Sequence, residues 1–395
     1  MLETLGLSWL LLPLGAVLGW YLARLRLDVQ PPQRLPGGVA ESKPSAEYLA
    51  GIGTLLSEDP DQALSVLVRA VEADPATLEL QLLLGALFRK RGEVDRALRL
   101  HENLLARPGL SPEQVAQARF ELGQDYLKAG VIDRAETLFQ QLVSENLHVA
   151  AALEQLLFIQ EQAHEWGRAI SVAERLEQLK GRSLRPLSAQ YHCELAEQAR
   201  LARDNPAALD SASRALSADS HCVRASLLQG VLHEAGGDLA AAAKAWRRVP
   251  EQDPRFLGEV MEPLLRASQK LNQPGAFLQF LDDAEARWPQ PAPMLARARF
   301  MLAAGEDPTP YLADRLQKLP NWRGLDLLFE GLARQSETLA PTIEGLRAAL
   351  RRTYENQPGY QCTHCGLQAR LLFWQCPSCK QWASVIPVQA VLKPN

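Results

Sequence analysis

Small residues recur at a fixed interval along this chain. Ala63 and Ala97, Ala135 and Ala169, and Ala208 and Ala242 are each thirty-four positions apart. A glycine and a bulkier residue keep step with them: Gly85 and Phe88, Gly123 and Tyr126, and Gly230 and His233 precede Ala97, Ala135 and Ala242 by twelve and nine positions. Phe139 and Trp246 follow Ala135 and Ala242 by four. A repeat of this length is one helix-turn-helix unit that cannot bury its apolar face alone, so units must stack on their neighbours. The small residues let the two helices of a unit cross closely, and the aromatic fills the space against the next unit. Three separate matches argue against a plain helical bundle with accidental periodicity.

Thirty-four is the tetratricopeptide period. The expected fold class is all-α: a tetratricopeptide-repeat solenoid over residues 46–355, degenerate after about residue 250, with an N-terminal transmembrane helix and a small C-terminal rubredoxin-like zinc ribbon. Asp74-Pro75 and Val249-Pro250 read as the ends of second helices, since proline commonly follows a helix. The spacings from Ala97 to Ala135 and from Ala169 to Ala208 are longer than the period, which puts insertions in the linkers 108–112 and 181–186. Past residue 250 the pattern weakens through Ala276, then continues as helices near 294–304, 311–316, 322–332 and 341–354. Leu157 and Gln160 replace the expected glycine and tyrosine of the fourth repeat. The first helices of such an array line a concave groove suited to protein segments. Repeat position makes Arg89, Lys90, Gln124, Lys128 and Arg224 candidates for it, although for any one of them singly an ordinary solvated helix face is the favoured reading.

Near the C-terminus, four of the six cysteines form two C-x-x-C pairs, Cys362 with Cys365 and Cys376 with Cys379. Each short turn aims two thiolates at one ion, and two turns close a four-coordinate, structural shell. Zinc is the favoured ion, with iron in a rubredoxin-like centre as the alternative. No strand-helix pattern follows either pair as a thioredoxin-like dithiol would need. His364, inside the first turn, reads as a bystander. The terminal segment, residues 356–395, has too little core to fold unaided, so metal binding supplies its folding energy. Leu371 to Trp374, Trp382, and Val385 with Ile386 read as short strands over a small aromatic core. Cys193 and Cys222 stand apart from these and read as small packing residues.

At the other end, residues 5–23 are nineteen consecutive uncharged, mostly apolar positions, about 28 Å of helix and enough to span a bilayer once. Glu3 precedes the run and Arg24 and Arg26 follow it, which directs the body to the cytoplasm. The run lacks the basic leader and small-x-small cleavage site of a signal peptide. Residues 1–26 therefore read as an anchor and 27–45, rich in proline and glycine, as a linker. Gly15 and Gly19 carry the spacing that lets two membrane helices approach, which admits a homo-oligomer.

The formal net charge of −4 gives no cationic field for nucleic acid, and the terminal segment has only Arg370, Lys380 and Lys393 as charges. The seven histidines are dispersed, and neither a G-x-S-x-G elbow nor a phosphate-binding G-x-x-x-x-G-K-[ST] loop occurs. The chain reads as non-enzymatic.

Tyr360, Cys362, Cys365 and Gly366, then Phe373, Trp374, Cys376, Pro377, Ser378, Cys379 and Trp382, joined to repeats and an anchor, resemble the lipopolysaccharide assembly protein B family of Gram-negative bacteria. The resemblance covers the whole chain. It implies a single-pass inner-membrane adaptor facing the cytoplasm, which regulates lipopolysaccharide synthesis by promoting degradation of the lipid A pathway deacetylase by the membrane protease FtsH. It also implies a membrane-embedded lipopolysaccharide sensor as a partner, and a ribbon docked on the repeats. A membrane-tethered scaffold or chaperone for envelope-synthesis enzymes, without control of proteolysis, fits the same three parts, and an electron-transfer iron site is a third possibility.

Overall fold

The computed structural model describes residues 65, 67–69, 71, 77–354 and 357–388. The apolar run 5–23, its linker, Ala63 and Asp74-Pro75 lie outside the described residues. Among those described, no helix is long and apolar enough to cross a membrane. The chain divides into two compact units, residues 1–87 and 88–395. In the first, Leu67, Leu80 and Leu84 are buried.

Besides helical residues at 65, 67–69 and 71, sixteen helices with described bounds precede a small sheet. They are α1 (Leu78–Lys90), α2 (Val94–Leu105), α3 (Pro112–Ala129), α4 (Ile132–Ser144), α5 (Val149–Gln162), α6 (Trp166–Lys180), α7 (Arg185–Leu201) and α8 (Asn205–Ala218). Then follow α9 (Val223–Ala235), α10 (Leu239–Gln252), a 3-10 turn (Pro254–Phe256), α11 (Leu257–Lys270), α12 (Pro274–Arg287), α13 (Pro291–Ala303), α14 (Thr309–Lys318), α15 (Trp322–Gln335) and α16 (Ala340–Tyr354). Local chemistry sets their ends. Ser111 and Gln114 form a reciprocal capping box with Pro112 in the first turn of α3, and Gly130 closes that helix at φ 77°. Asp204 and Asp238 accept from the backbone N–H three residues on, starting α8 and α10. The two expected insertions are the linkers ahead of α3 and α7.

Each helix of the second unit packs on the next, and the first helices of successive pairs also stack, α7 on α9, α11 on α13 and α13 on α15. This is the expected helical-repeat solenoid. The alanines Ala97, Ala135, Ala169, Ala208 and Ala242 are all fully buried. The glycine-aromatic pairing is tighter than the period alone suggested. A Cβ on Gly123 would stand 2.7 Å from the Phe139 ring, and one on Gly230 2.0 Å from Trp246 Nε1. Each ring thus closes on the glycine of its own pair and also lies in one buried cluster with the first helix of the next, Phe139 with Leu153 and Leu156, Trp246 with Val260 and Leu264.

One expectation about a helix end and one about the repeat register need correction. Pro250 lies inside α10, which runs on to Gln252; its missing N–H removes one bond of the ladder without stopping the helix. The terminator is Asp253-Pro254, where Asp253 accepts from Arg255 N–H. That extra 3-10 turn also shifts the repeat. Phe277 and Leu281 take the buried places of Ala242 and Trp246, each thirty-five positions on, while Ala276 is only half-buried.

The terminal module is a three-stranded antiparallel sheet, order β2-β1-β3, of β1 (Tyr360–Cys362), β2 (Gln368–Ala369) and β3 (Val385–Pro387). Tyr360 pairs with Ala369 and Pro387, and Cys362 with Val385. The residues 371–374 form no strand, contrary to expectation. Cys362, Cys376 and Val385 fill the small core, so the tryptophans are left to face outward.

Candidate metal centre

The two C-x-x-C turns are built alike. Cys362 N–H donates to Leu367 O and Cys362 O accepts from Gly366 N–H; Cys376 N–H donates to Gln381 O and Cys376 O accepts from Lys380 N–H. Both turns close on a left-handed residue, Gly366 at φ 77° and Lys380 at φ 60°. The first position suits glycine; the second strains a lysine.

This doubled turn brings Cys362, Cys365, Cys376 and Cys379 together, with all four sulfurs within 4.8 Å of one another. Two of the separations, Cys362 to Cys379 and Cys365 to Cys376, are 3.7 Å. A regular tetrahedron of thiolates about 2.3 Å from a central ion has edges of about 3.8 Å. The donor set therefore fits a closed tetrathiolate shell, and iron would suit it as zinc does. The protons of the thiols divide unevenly. The Ser384 hydroxyl, 3.3 Å away, and the Cys365 and His364 backbone draw Cys362 down to about 5. Cys379 is drawn down by the Gln381 N–H, yet burial and the three neighbouring thiols outweigh it and push the group up to about 12. Crowded thiols cannot all ionise alone, and a divalent cation would replace the protons they share. His364 is exposed, as a bystander would be.

The outward tryptophans tie the module to the solenoid. Trp382 donates from Nε1 to Glu161 Oε1 at 3.0 Å and meets Trp166 and Tyr191 edge-on, each with ring centroids 5.9 Å away. Tyr191 donates to the same Glu161 carboxylate and stacks on Trp166. Trp374 stacks on Phe256 at 5.7 Å, with the Arg224 guanidinium 5.8 Å from its ring centre. Tyr360 donates to Glu259 at 2.9 Å. Burial, then Glu161, raises the Tyr191 pKa, and burial, then Glu259, raises that of Tyr360. Glu161, Tyr191, Arg224 and Glu259 lie on α5, α7, α9 and α11, all first helices, so the ribbon lies along the face they form.

That placement sorts the residues assigned to the groove. Arg224 is buried, paired with Glu194 and covered by Trp374, so it serves the ribbon dock. Arg89 and Gln124 are joined to each other at 2.7 Å, and Arg89 also pairs with Glu121 and with Asp125, whose other oxygen holds buried His101. Within the second unit they form one polar network on α3, with both groups already engaged. Lys90 and Lys128 are exposed. Gln160, one of the departures from the repeat pattern, is buried and donates to Glu136.

The family resemblance implied a docked ribbon, but not the residues that dock it, although one signal was present. A segment with Tyr360, Phe373, Trp374 and Trp382 carries more aromatic surface than a core of 28 residues built on four thiols can enclose.

Comparison with known proteins agrees with this division. Residues 360–387 match a family model described as a rubredoxin metal binding domain, and residues 55–112 and 193–255 match a tetratricopeptide repeat model. Lipopolysaccharide assembly protein B of Escherichia coli (strain K12) is 34% identical over 391 residues, 98% of this chain and 99% of that protein. The chain belongs to the lipopolysaccharide assembly protein B family. The Haemophilus influenzae member is 32% identical over 407 residues, 97% of this chain and 98% of that one. Among solved structures, one titled as Pseudomonas aeruginosa pilF is 18% identical, covering 53% of this chain and 91% of that one at a TM-score of 0.33. The family match spans repeats and ribbon together, as the dock between them requires.

Proposed function

We propose that this protein is a non-catalytic adaptor of lipopolysaccharide assembly that promotes degradation of the lipid A pathway deacetylase by the membrane protease FtsH. Residues 1–26 anchor it in the inner membrane, residues 27–45 are a linker, the repeats of 46–355 face the cytoplasm, and residues 356–395 are the metal ribbon. Cys362, Cys365, Cys376 and Cys379 hold zinc, which supplies folding energy and no chemistry. Lys90 and Lys128 belong to the surface left for partners, which include the protease, the deacetylase and a membrane-embedded lipopolysaccharide sensor.

What most supports this reading is the docked ribbon. Two tryptophans and a tyrosine bond it to α5, α7, α9 and α11, in a chain similar over nearly its whole length to proteins named for lipopolysaccharide assembly. A ribbon spent on holding repeats is a structural part of an interaction surface, as an adaptor needs. The test is to delete the gene and follow the deacetylase by pulse-chase. A longer half-life with more lipopolysaccharide is expected. Unchanged turnover, with several envelope-synthesis enzymes co-purifying on the chain, would select a scaffold instead.

A further inference from the structure

Cys193 and Cys222 are separated by twenty-nine positions, and the sequence reading left them as unrelated packing residues. The fold brings them into contact. Cys193 lies in the middle of α7, Cys222 is the N-cap residue of α9, both are buried, and their sulfurs are 3.7 Å apart with no bond between them.

Their surroundings differ in a way that packing alone does not require. Gln190 Nε2 donates to Cys222 Sγ at 3.5 Å. Cys222 sits at the start of a helix, where the helix dipole favours an anion, and the Arg224 guanidinium, 5% exposed, stands two residues on. The Cys193 thiol, and then the Ala225 N–H and Arg224, lower the Cys222 pKa against burial and the Asp219 charge. Cys193 is held up by the hydrogen bond to Cys222 and by burial. One thiol is disposed to ionise and attack; its neighbour is disposed to keep its proton until it resolves the product.

We propose that Cys193 and Cys222 form a redox-active dithiol, closed to an intramolecular disulfide by hydrogen peroxide and reopened by a small dithiol reductant. In the first step the Cys222 thiolate attacks one peroxide oxygen, the O–O bond breaks, and the departing hydroxide takes a proton to become water, leaving a sulfenic acid on Cys222. Cys193 sulfur then attacks Cys222 sulfur. The S–O bond breaks, hydroxide leaves, and with the Cys193 proton it becomes a second water. Two thiols have lost two electrons and the peroxide has gained them. In reverse, the reductant exchanges twice with the disulfide and is itself oxidised to one.

Closing the bond brings sulfurs 3.7 Å apart to about 2.0 Å. The movement acts between α7 and the start of α9. Tyr191, two residues before Cys193, carries Trp382, and Arg224, two residues after Cys222, faces Trp374. The pair therefore lies in the core shared by the two helices that carry these contacts, two residues from each, and a change in thiol state would reach the dock through α7 and α9.

The experiment treats the purified, metal-loaded full chain with hydrogen peroxide at a small molar excess, blocks remaining thiols by alkylation, and digests with trypsin without reduction. Residues 183–200 and 215–224 are separate tryptic peptides, one holding Cys193 and the other Cys222. They are expected as one disulfide-linked species lacking two hydrogens, lost again after dithiothreitol. In Cys193→Ser a sulfenic-acid trap should label Cys222, whereas in Cys222→Ser Cys193 should stay reduced. The native-chain result needs no substitution, so it stands even if a variant folds poorly. The proposal is overturned if both thiols of the native chain remain fully alkylatable under peroxide that links them in the unfolded chain. It is equally overturned if either is found joined to a ribbon cysteine and not to its neighbour.

Discussion

Replacing Trp382 with alanine should release the ribbon from the solenoid without unfolding it. The side chain gives one hydrogen bond to the Glu161 carboxylate and two edge-on ring contacts, with Trp166 and Tyr191. A hydrogen bond to a charged group contributes about 1.5–3 kcal/mol and an aromatic pair about 0.5–1.5 kcal/mol, so one bond and two pairs sum to about 2.5–6 kcal/mol, and the half-buried indole puts the loss in the lower part of that range, about 3–4 kcal/mol of docking free energy. That is roughly two to three orders of magnitude in the ratio of docked to undocked ribbon. The sulfur shell is untouched, because the ribbon core of Cys362, Cys376 and Val385 does not include Trp382. Hydrogen exchange resolved by peptide would show faster exchange along α5 and α7 where the ribbon covers them, while metal content measured on the same sample stays at the native level. Trp382→Phe keeps a ring but not the donor and should fall between. Two results would refute the reasoning: unchanged protection in Trp382→Ala, or loss of metal together with the dock.

Raising the pH should undock the ribbon as well. Tyr360 has a raised pKa in the docked state, from burial and then from the Glu259 carboxylate across the dock, so its contribution is complete below about pH 10, the ordinary tyrosine value, and is lost above it as the phenol ionises. Tryptophan fluorescence against pH should show this transition, weakened in Tyr360→Phe. Gly230→Ala should cost about 1–3 kcal/mol, since its new Cβ meets Trp246 at 2.0 Å, whereas Gly258→Ala, with its nearest neighbour at 3.8 Å, should be tolerated; thermal unfolding distinguishes them. In the metal turns, Gly366→Ala should cost about 1–2 kcal/mol for its left-handed backbone although nothing crowds its Cβ, and Lys380→Gly should relieve strain, both read by competition with a chelator.

The parts of this fold legible in the sequence are those where one residue decides a local fit. Gly123 under Phe139 and Gly230 under Trp246 leave no room for another side chain, and the thirty-four-residue interval is the trace of that constraint. The two C-x-x-C turns are equally local, and their spacing alone assigned the four sulfurs to one centre. What the sequence hid depends on chain segments far apart. Trp382 reaches Glu161 across 221 positions, and no period or spacing records such a pairing. Arg224 illustrates the cost: repeat position assigned it to the groove, and in the fold it lies on a first helix, α9, under Trp374 of the chain's own ribbon. Ala276 failed for a different reason, because one 3-10 turn at Pro254–Phe256 advanced the register and moved the buried place to Phe277.

The most direct measurement of whether the docked ribbon serves an adaptor is the deacetylase half-life in cells whose only copy of this protein carries Trp382→Ala with its metal retained. A half-life lengthened toward that of the deletion strain is the expected result. A half-life equal to that of cells with the native chain, while exchange shows the ribbon released, would contradict the proposed role of the dock.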